Sequence, residues 1–183
     1  MHSPLDRSTR PKAPRIPGAT QAHRRHGQRL AAIHRMHLQQ IEHVEAVIGR
    51  IEAGETEVAR AGEAVAGLDM TANYRLFGNL CGQECLFLTF HHSAEDDYIF
   101  PALMQGSEGL RRVVERLAEE HLVIHAMIER LQEDAAALMR SQDADTFARL
   151  RETFAQLAAT VRSHFGYEQT ELEEAIGFHG IAI

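Results

Sequence analysis

Residues 85–103 read CLFLTFHHSAEDDYIFPAL, and residues 161–172 read VRSHFGYEQTEL. In each, a glutamate follows a histidine by four positions: Glu95 after His91, and Glu168 after His164. His121 and His125 repeat that spacing in the chain between them. Residues four apart share one face of an α-helix, about one turn up the axis. Each pair therefore aims two ligating groups at one point. The pairs also lie within stripes of apolar residues, where an uncompensated carboxylate or imidazole is costly to bury. A bound metal ion removes that cost, so the same residues argue for helices and for a metal.

Working outward, four helical patterns emerge. The first carries Leu30, His34, His37, Ile41, Val44, Ile48 and Ile51 at steps of three and four and ends at Gly54. Residues 54–70 hold three glycines and read as a long connection. The second helix is capped by Asp69 or Thr71 and turns Phe77, Leu80, Cys81, Glu84, Leu88, His91, Glu95 and Tyr98 inward. It ends or bends at Phe100-Pro101. Ser107 opens the third helix, whose inner stripe is Val114, Leu117, His121, Ile124, His125, Ile128 and Leu131. Asp143 caps the fourth, with Phe147, Leu150, Phe154, Leu157, Val161, His164, Glu168, Leu172 and Ile176 inward and Gly177 closing it. The expected fold is all-α, an up-down four-helix bundle over residues 28–177.

The ends differ from this body. Four of the five prolines fall at positions 4, 11, 14 and 17. Residues 1–29 carry seven basic side chains against Asp6, a net of +6, which leaves −13 for the rest of a chain whose total is −7. We expect residues 1–27 to form a disordered basic tail and residues 178–183 a short C-terminal one. A protein partner is the occupant considered for the basic tail; nucleic acid is disfavoured. No stretch reaches about 18 consecutive apolar residues, so no membrane span is expected. The basic segment has no signal-peptide core. Cys81 and Cys85 are poorly spaced for a disulfide within one helix. A cytoplasmic protein is the expectation.

One histidine from the first helix, His34 or His37, joins His91, Glu95, His121, His125, His164 and Glu168. Those seven groups exceed the four that a tetrahedral zinc takes, and two carboxylates able to bridge suit two adjacent ions. Mixed imidazole and carboxylate favour iron, zinc or manganese over calcium or magnesium. His92, next to His91, is open as a ligand or as a hydrogen-bond partner that orients one. No glutamate has a histidine three residues later, so the Glu-x-x-His pattern of ferritin-like bundles is absent.

The segments LAAIHRMHLQQI, CLFLTFHHSAEDDYIFPAL, RLAEEHLVIHAMIERL and VRSHFGYEQTEL together resemble the hemerythrin-like proteins of the bacterial HHE cation-binding type. The resemblance spans about residues 28–176 and implies a bundle enclosing two non-haem iron ions with a position open to O₂ or a related molecule. It implies ligand roles for His34, His91, His121 and His164, and bridging roles for Glu95 and Glu168. His121/His125 matches the third-helix pair of oxygen-carrying members. Glu168, four after His164, follows the HHE pattern rather than the aspartate at five of those carriers.

Three functions share such a ligand set. One is binding or turning over O₂, peroxide or nitric oxide, with Phe87, Leu88, Leu117, Ile124, Phe154 and Val161 lining an apolar cavity. For an enzyme, no acid or base beyond Tyr98 and His92 presents itself. The second is an iron- or oxygen-responsive regulatory module, and the third a structural zinc bundle.

Overall fold

The computed structural model describes residues 5–53, 82–141 and 143–183. Among them the regular structure is all helical. Helix α1 is Gln21–Glu52. Helix α2 covers 82–94, passes through a π-turn at Glu95–Ile99, and ends with an α-turn at Phe100–Leu103. Helix α3 is Glu108–Ser141 and helix α4 is Ala144–Phe178. The proposed caps Asp69 and Thr71, the end at Gly54, and Phe77, Leu80 and Cys81 lie outside the described residues.

Local chemistry sets the ends. The Thr20 side chain accepts from the His23 backbone while His23 Nδ1 accepts from the Thr20 N–H. This capping box starts α1 at Gln21, before the expected position. Ser107 accepts from the Leu110 N–H and Asp143 from the Thr146 N–H, as the sequence suggests. Helix α4 does not close at Gly177. It runs on to Phe178, and Gly180, at φ +63°, takes the left-handed position past the end.

Gly177 has another reason to be glycine. A Cβ there would lie 1.7 Å from the His23 carbonyl oxygen, and one at Gly27 would lie 1.9 Å from that of Glu173. The backbones of α1 and α4 touch at this end. Further along, Arg162 forks onto Glu45 and Arg151 meets Glu52. Rising numbers on α1 thus meet falling numbers on α4, so the two are antiparallel. Helices α3 and α4 are antiparallel too, with contacts running from Glu120–His164 to Asp134–Thr153.

The apolar stripes are buried as expected on α1, α3 and α4, with His125 only half-buried. They form two clusters. One gathers Ile41, Leu88, Ile124, Leu131, Leu150, Phe154 and Val161; the other gathers Leu30, Ile99, Leu103, Val113, Leu117, Leu172 and Ile176. Each fully buried leucine or isoleucine contributes about 1.5–3 kcal/mol. Between the clusters lies a layer of histidines and glutamates.

The π-turn alters the reading of α2. Pro101 has no N–H to give the carbonyl four residues back. The helix instead widens, and the Phe100 N–H bonds to the Glu95 carbonyl, five residues away. The extra residue moves the inward position from Tyr98 to Ile99. Tyr98 is 76% exposed, and no core or ligand role remains for it. Phe87 is also exposed, facing away from the buried layer.

The N-terminal segment departs furthest from expectation. Residues 5–20 are not a detached tail but lie along the bundle. The N–H groups of Ala13 and Ile16 bond to Glu171 and Glu174 on α4, and the Tyr167 hydroxyl donates to the Pro11 carbonyl. Composition misled here because proline at 11, 14 and 17 leaves few backbone donors to satisfy, and side chains of α4 accept from two of those that remain, Ala13 and Ile16.

Candidate metal centre

All four helices send polar groups into the buried layer. Donor atoms of His34, His91, Glu95 and Glu168 lie within 4.8 Å of one another, and so do those of His92, His121 and His164. Two donors each about 2.1 Å from a shared ion are at most about 4.2 Å apart, so small shifts close either set on a cation.

Both carboxylates stand between the sets. Glu95 Oε1 is 3.2 Å from His91 Nε2 and 3.8 Å from His34 Nε2, while its Oε2 is 3.6 Å from His121 Nε2. Glu168 Oε2 is 3.3 Å from His34 Nε2 and 3.7 Å from His164 Nε2.

These approaches do not satisfy the groups. His34 Nε2, His91 Nε2, both ring nitrogens of His92 and all four oxygens of Glu95 and Glu168 are buried without a hydrogen-bond partner. An unpaired buried polar group ordinarily costs about 1–3 kcal/mol. So many around one space is the mark of a site built for a cation.

The outer nitrogens sharpen this. His164 Nδ1 lies 3.1 Å from Glu120 Oε2, and His121 Nδ1 lies 2.9 Å from Asp96 Oδ1. A carboxylate accepts, so each Nδ1 carries a proton and each Nε2 presents a lone pair. Those two Nε2 atoms are 3.1 Å apart. Lone pairs at that distance repel unless a positive charge sits beside them.

Electrostatics follow from burial. Burial holds His91 down to about 3, against an ordinary histidine value of 6.5. His92 and His164 are lowered by the same cause. Neutral imidazole is the metal-binding form. Burial and the neighbouring Glu168 raise Glu95, whereas for Glu168 the upward push of burial is outweighed by the surrounding imidazoles, His34 foremost, and its carboxyl is lowered. The two buried carboxyls are thus pushed in opposite directions, since two like charges side by side are unfavourable.

The sequence candidates separate clearly. His34, His91, Glu95 and Glu168 come together, and His121 and His164 come together with His92. His125 enters neither set; its Nε2 is buried and unpartnered, and its ring is 5.4 Å from that of His92. His37 bonds Glu84 through Nδ1 at 2.8 Å, beside His91. That pair floors a surface cavity of about 340 Å³ between α1 and α2, walled by Ile33, Met36 and Phe87.

Three contributors escape the periodic reading. Phe165 lies parallel to the His34 ring with centroids 3.8 Å apart. Glu120 is fully buried and gripped by Arg10. Gln169 places its amide 2.8 Å from His34 Nδ1. Adjacency to the candidate ligands was the only signal for them: Phe165 follows His164, Glu120 precedes His121, and Gln169 follows Glu168.

No helix among the described residues is long and apolar enough to cross a membrane. No curated protein and no solved structure matches the chain. The family model of the hemerythrin HHE cation-binding domain matches residues 25–176, which contain every group of both donor sets. The chain belongs to the hemerythrin HHE cation-binding domain family.

Proposed function

We propose that the chain is a non-haem di-iron protein, an up-down four-helix bundle that binds or reacts with O₂ or a related small molecule such as peroxide or nitric oxide. The observation that carries the reading is two donor sets with two carboxylates facing both. His34 and His91 would hold one ion and His92, His121 and His164 the other, with Glu95 and Glu168 shared. His125 is an extra donor at the edge of the second set, and His37 remains paired with Glu84. Zinc or manganese could occupy the same donors, but shared carboxylates and more than four donors favour a pair of redox-active ions over one tetrahedral zinc. The antiparallel contacts of α4 with α1 and α3 support the up-down order.

Bound iron supplies a vacant coordination position and a change of oxidation state. The chain supplies the surroundings. Phe165, Leu88, Ile124 and Val161 are buried around the centre and exclude water. Glu120 and Asp96 keep a proton on the outer nitrogens of His164 and His121, leaving the inner nitrogens free. Among the described residues, the side chains facing the centre are the donors themselves, their outer partners and apolar groups. A free, buried Cys85, raised to about 12 by burial, is in keeping with a reducing cytoplasmic setting.

The test is metal content together with the optical spectrum of anaerobically reduced protein before and after air. Two irons per chain and new visible bands on exposure are expected. Bands that vanish on deoxygenation indicate reversible binding; bands that persist indicate sensing or peroxide chemistry. One zinc per chain, or no metal, overturns the reading.

A further inference from the structure

The arm at residues 5–20 lies entirely outside the stretch matched by the family model, yet one of its side chains reaches the metal layer. Arg10 Nε and Nη2 fork onto Glu120 Oε1 and Oε2, each at 2.7 Å. Its Nη1 donates to the Ser163 carbonyl and hydroxyl, at 3.1 and 3.0 Å. The guanidinium carbon lies 4.6 Å above the Tyr167 ring. The Arg10 side chain is 10% exposed and that of Glu120 is 0% exposed. The arm is anchored on both sides of Arg10: Arg116 donates to the Thr9 hydroxyl, and Tyr167 donates to the Pro11 carbonyl.

We propose that Arg10 is a positioning residue for the metal centre, holding Glu120 so that His164 keeps its proton on Nδ1 and turns Nε2 inward. The argument is one of partners. Glu120 has two oxygens, and Arg10 takes both in a planar fork that fixes the carboxylate plane. Only then does Oε2 sit in line with His164 Nδ1. Without the guanidinium, a fully buried carboxylate has lost its counter-charge. It would then be free to turn out of the fork plane and relax toward the surface, and it ceases to be a firm acceptor. The His164 ring could then rotate or change tautomer. His121 has no such support, since its partner Asp96 is 38% exposed. The arm is thus a fourth element supporting the second donor set, beside α2, α3 and α4, and it lies outside the residues that the family model matches.

The inference rests on the di-iron reading for its consequence but not for its geometry, so the two are tested apart. In metal-free protein, ¹⁵N correlation spectra of the His164 ring report which nitrogen carries the proton. Arg10→Lys keeps the charge and loses the fork, and Arg10→Met keeps the packing and loses both. Wild type is expected to show a single Nδ1–H form. Both variants should show mixed tautomers, Arg10→Met more so, while the helical circular dichroism stays unchanged. In metal titrations each variant should bind one of the two ions about 10–100-fold more weakly, the scale for losing a partner that orients a ligand, and leave the other unchanged. Glu171→Gln, which loosens the arm at Ala13 only, should change neither readout. An unaltered His164 tautomer in both variants would overturn the proposal. Altered tautomers in a protein that binds no metal would uphold the positioning and overturn the di-iron reading alone.

Discussion

The two donor sets occupy one layer but are built on different principles. His34, His91, Glu95 and Glu168 form the first, two imidazoles with two carboxylates, backed by the Phe165 ring. His92, His121 and His164 form the second, all imidazole, backed by the carboxylates Asp96 and Glu120. In the first set the negative charge is among the donors; in the second it stands one bond further out. A cation in the first is neutralised directly. A cation in the second only shares Glu95 and Glu168 with the first, and leans in addition on outer carboxylates, and through Glu120 on the N-terminal arm. The second set is therefore expected to be the more easily emptied.

The largest disturbance should come from Glu168→Ala, which removes an oxygen facing both sets. Metal analysis should then give less than one ion per chain, and retention of two would break the account of a shared carboxylate. Next is Phe165→Ala. Loss of a fully buried ring costs about 3–5 kcal/mol, read by denaturant unfolding of the metal-free protein. A smaller loss would mean that the backing of the first set is not structural.

Acid should act on a similar or lesser scale. His91 sits at about 3 in the folded protein and near 6.5 unfolded, so the unfolded chain binds the extra proton between those values. Metal-free stability is then full above about pH 6.5 and falls as pH drops toward 3, by an amount on the order of a few kcal/mol. Chemical denaturation across that window checks the sign. His92→Ala should abolish the second ion and spare the first, the sharpest separation of the sets by stoichiometry. The smallest effect belongs to His125→Ala: two ions retained and stability within about 1 kcal/mol of wild type. Loss of an ion there would make His125 a full donor.

The difference between the sets also explains what could be read from sequence. The first set is made of residues at helical spacing on buried stripes, so His34, His91, Glu95 and Glu168 were visible as a pattern. His121 and His164 were visible for the same reason. His92 was ambiguous because it sits one residue off the stripe, about 100° around a regular helix. Its inward aim is a matter of tertiary packing. The Arg10–Glu120–His164 chain links residues 110 and 44 positions apart, which no local period can encode. Proline at 11, 14 and 17 looked like a sign of disorder. That three-residue spacing instead leaves Ala13 and Ile16 as donors to Glu171 and Glu174. Tyr98 and Ile99 exchanged places because a π-turn adds a residue where the periodic argument assumed none.

That added residue has a consequence for anyone redrawing the helix. Each α-helical residue advances the side-chain direction by about 100°, so the turn at Glu95–Ile99 acts as a phase shift between two correctly wound halves. A redesign that irons α2 into uniform pitch without removing the added residue can keep only one half in register. If the upstream half keeps His91 and Glu95 inward, Ile99, Phe100 and Leu103 rotate off the lower core. If the downstream half is kept, His91 and Glu95 rotate away instead.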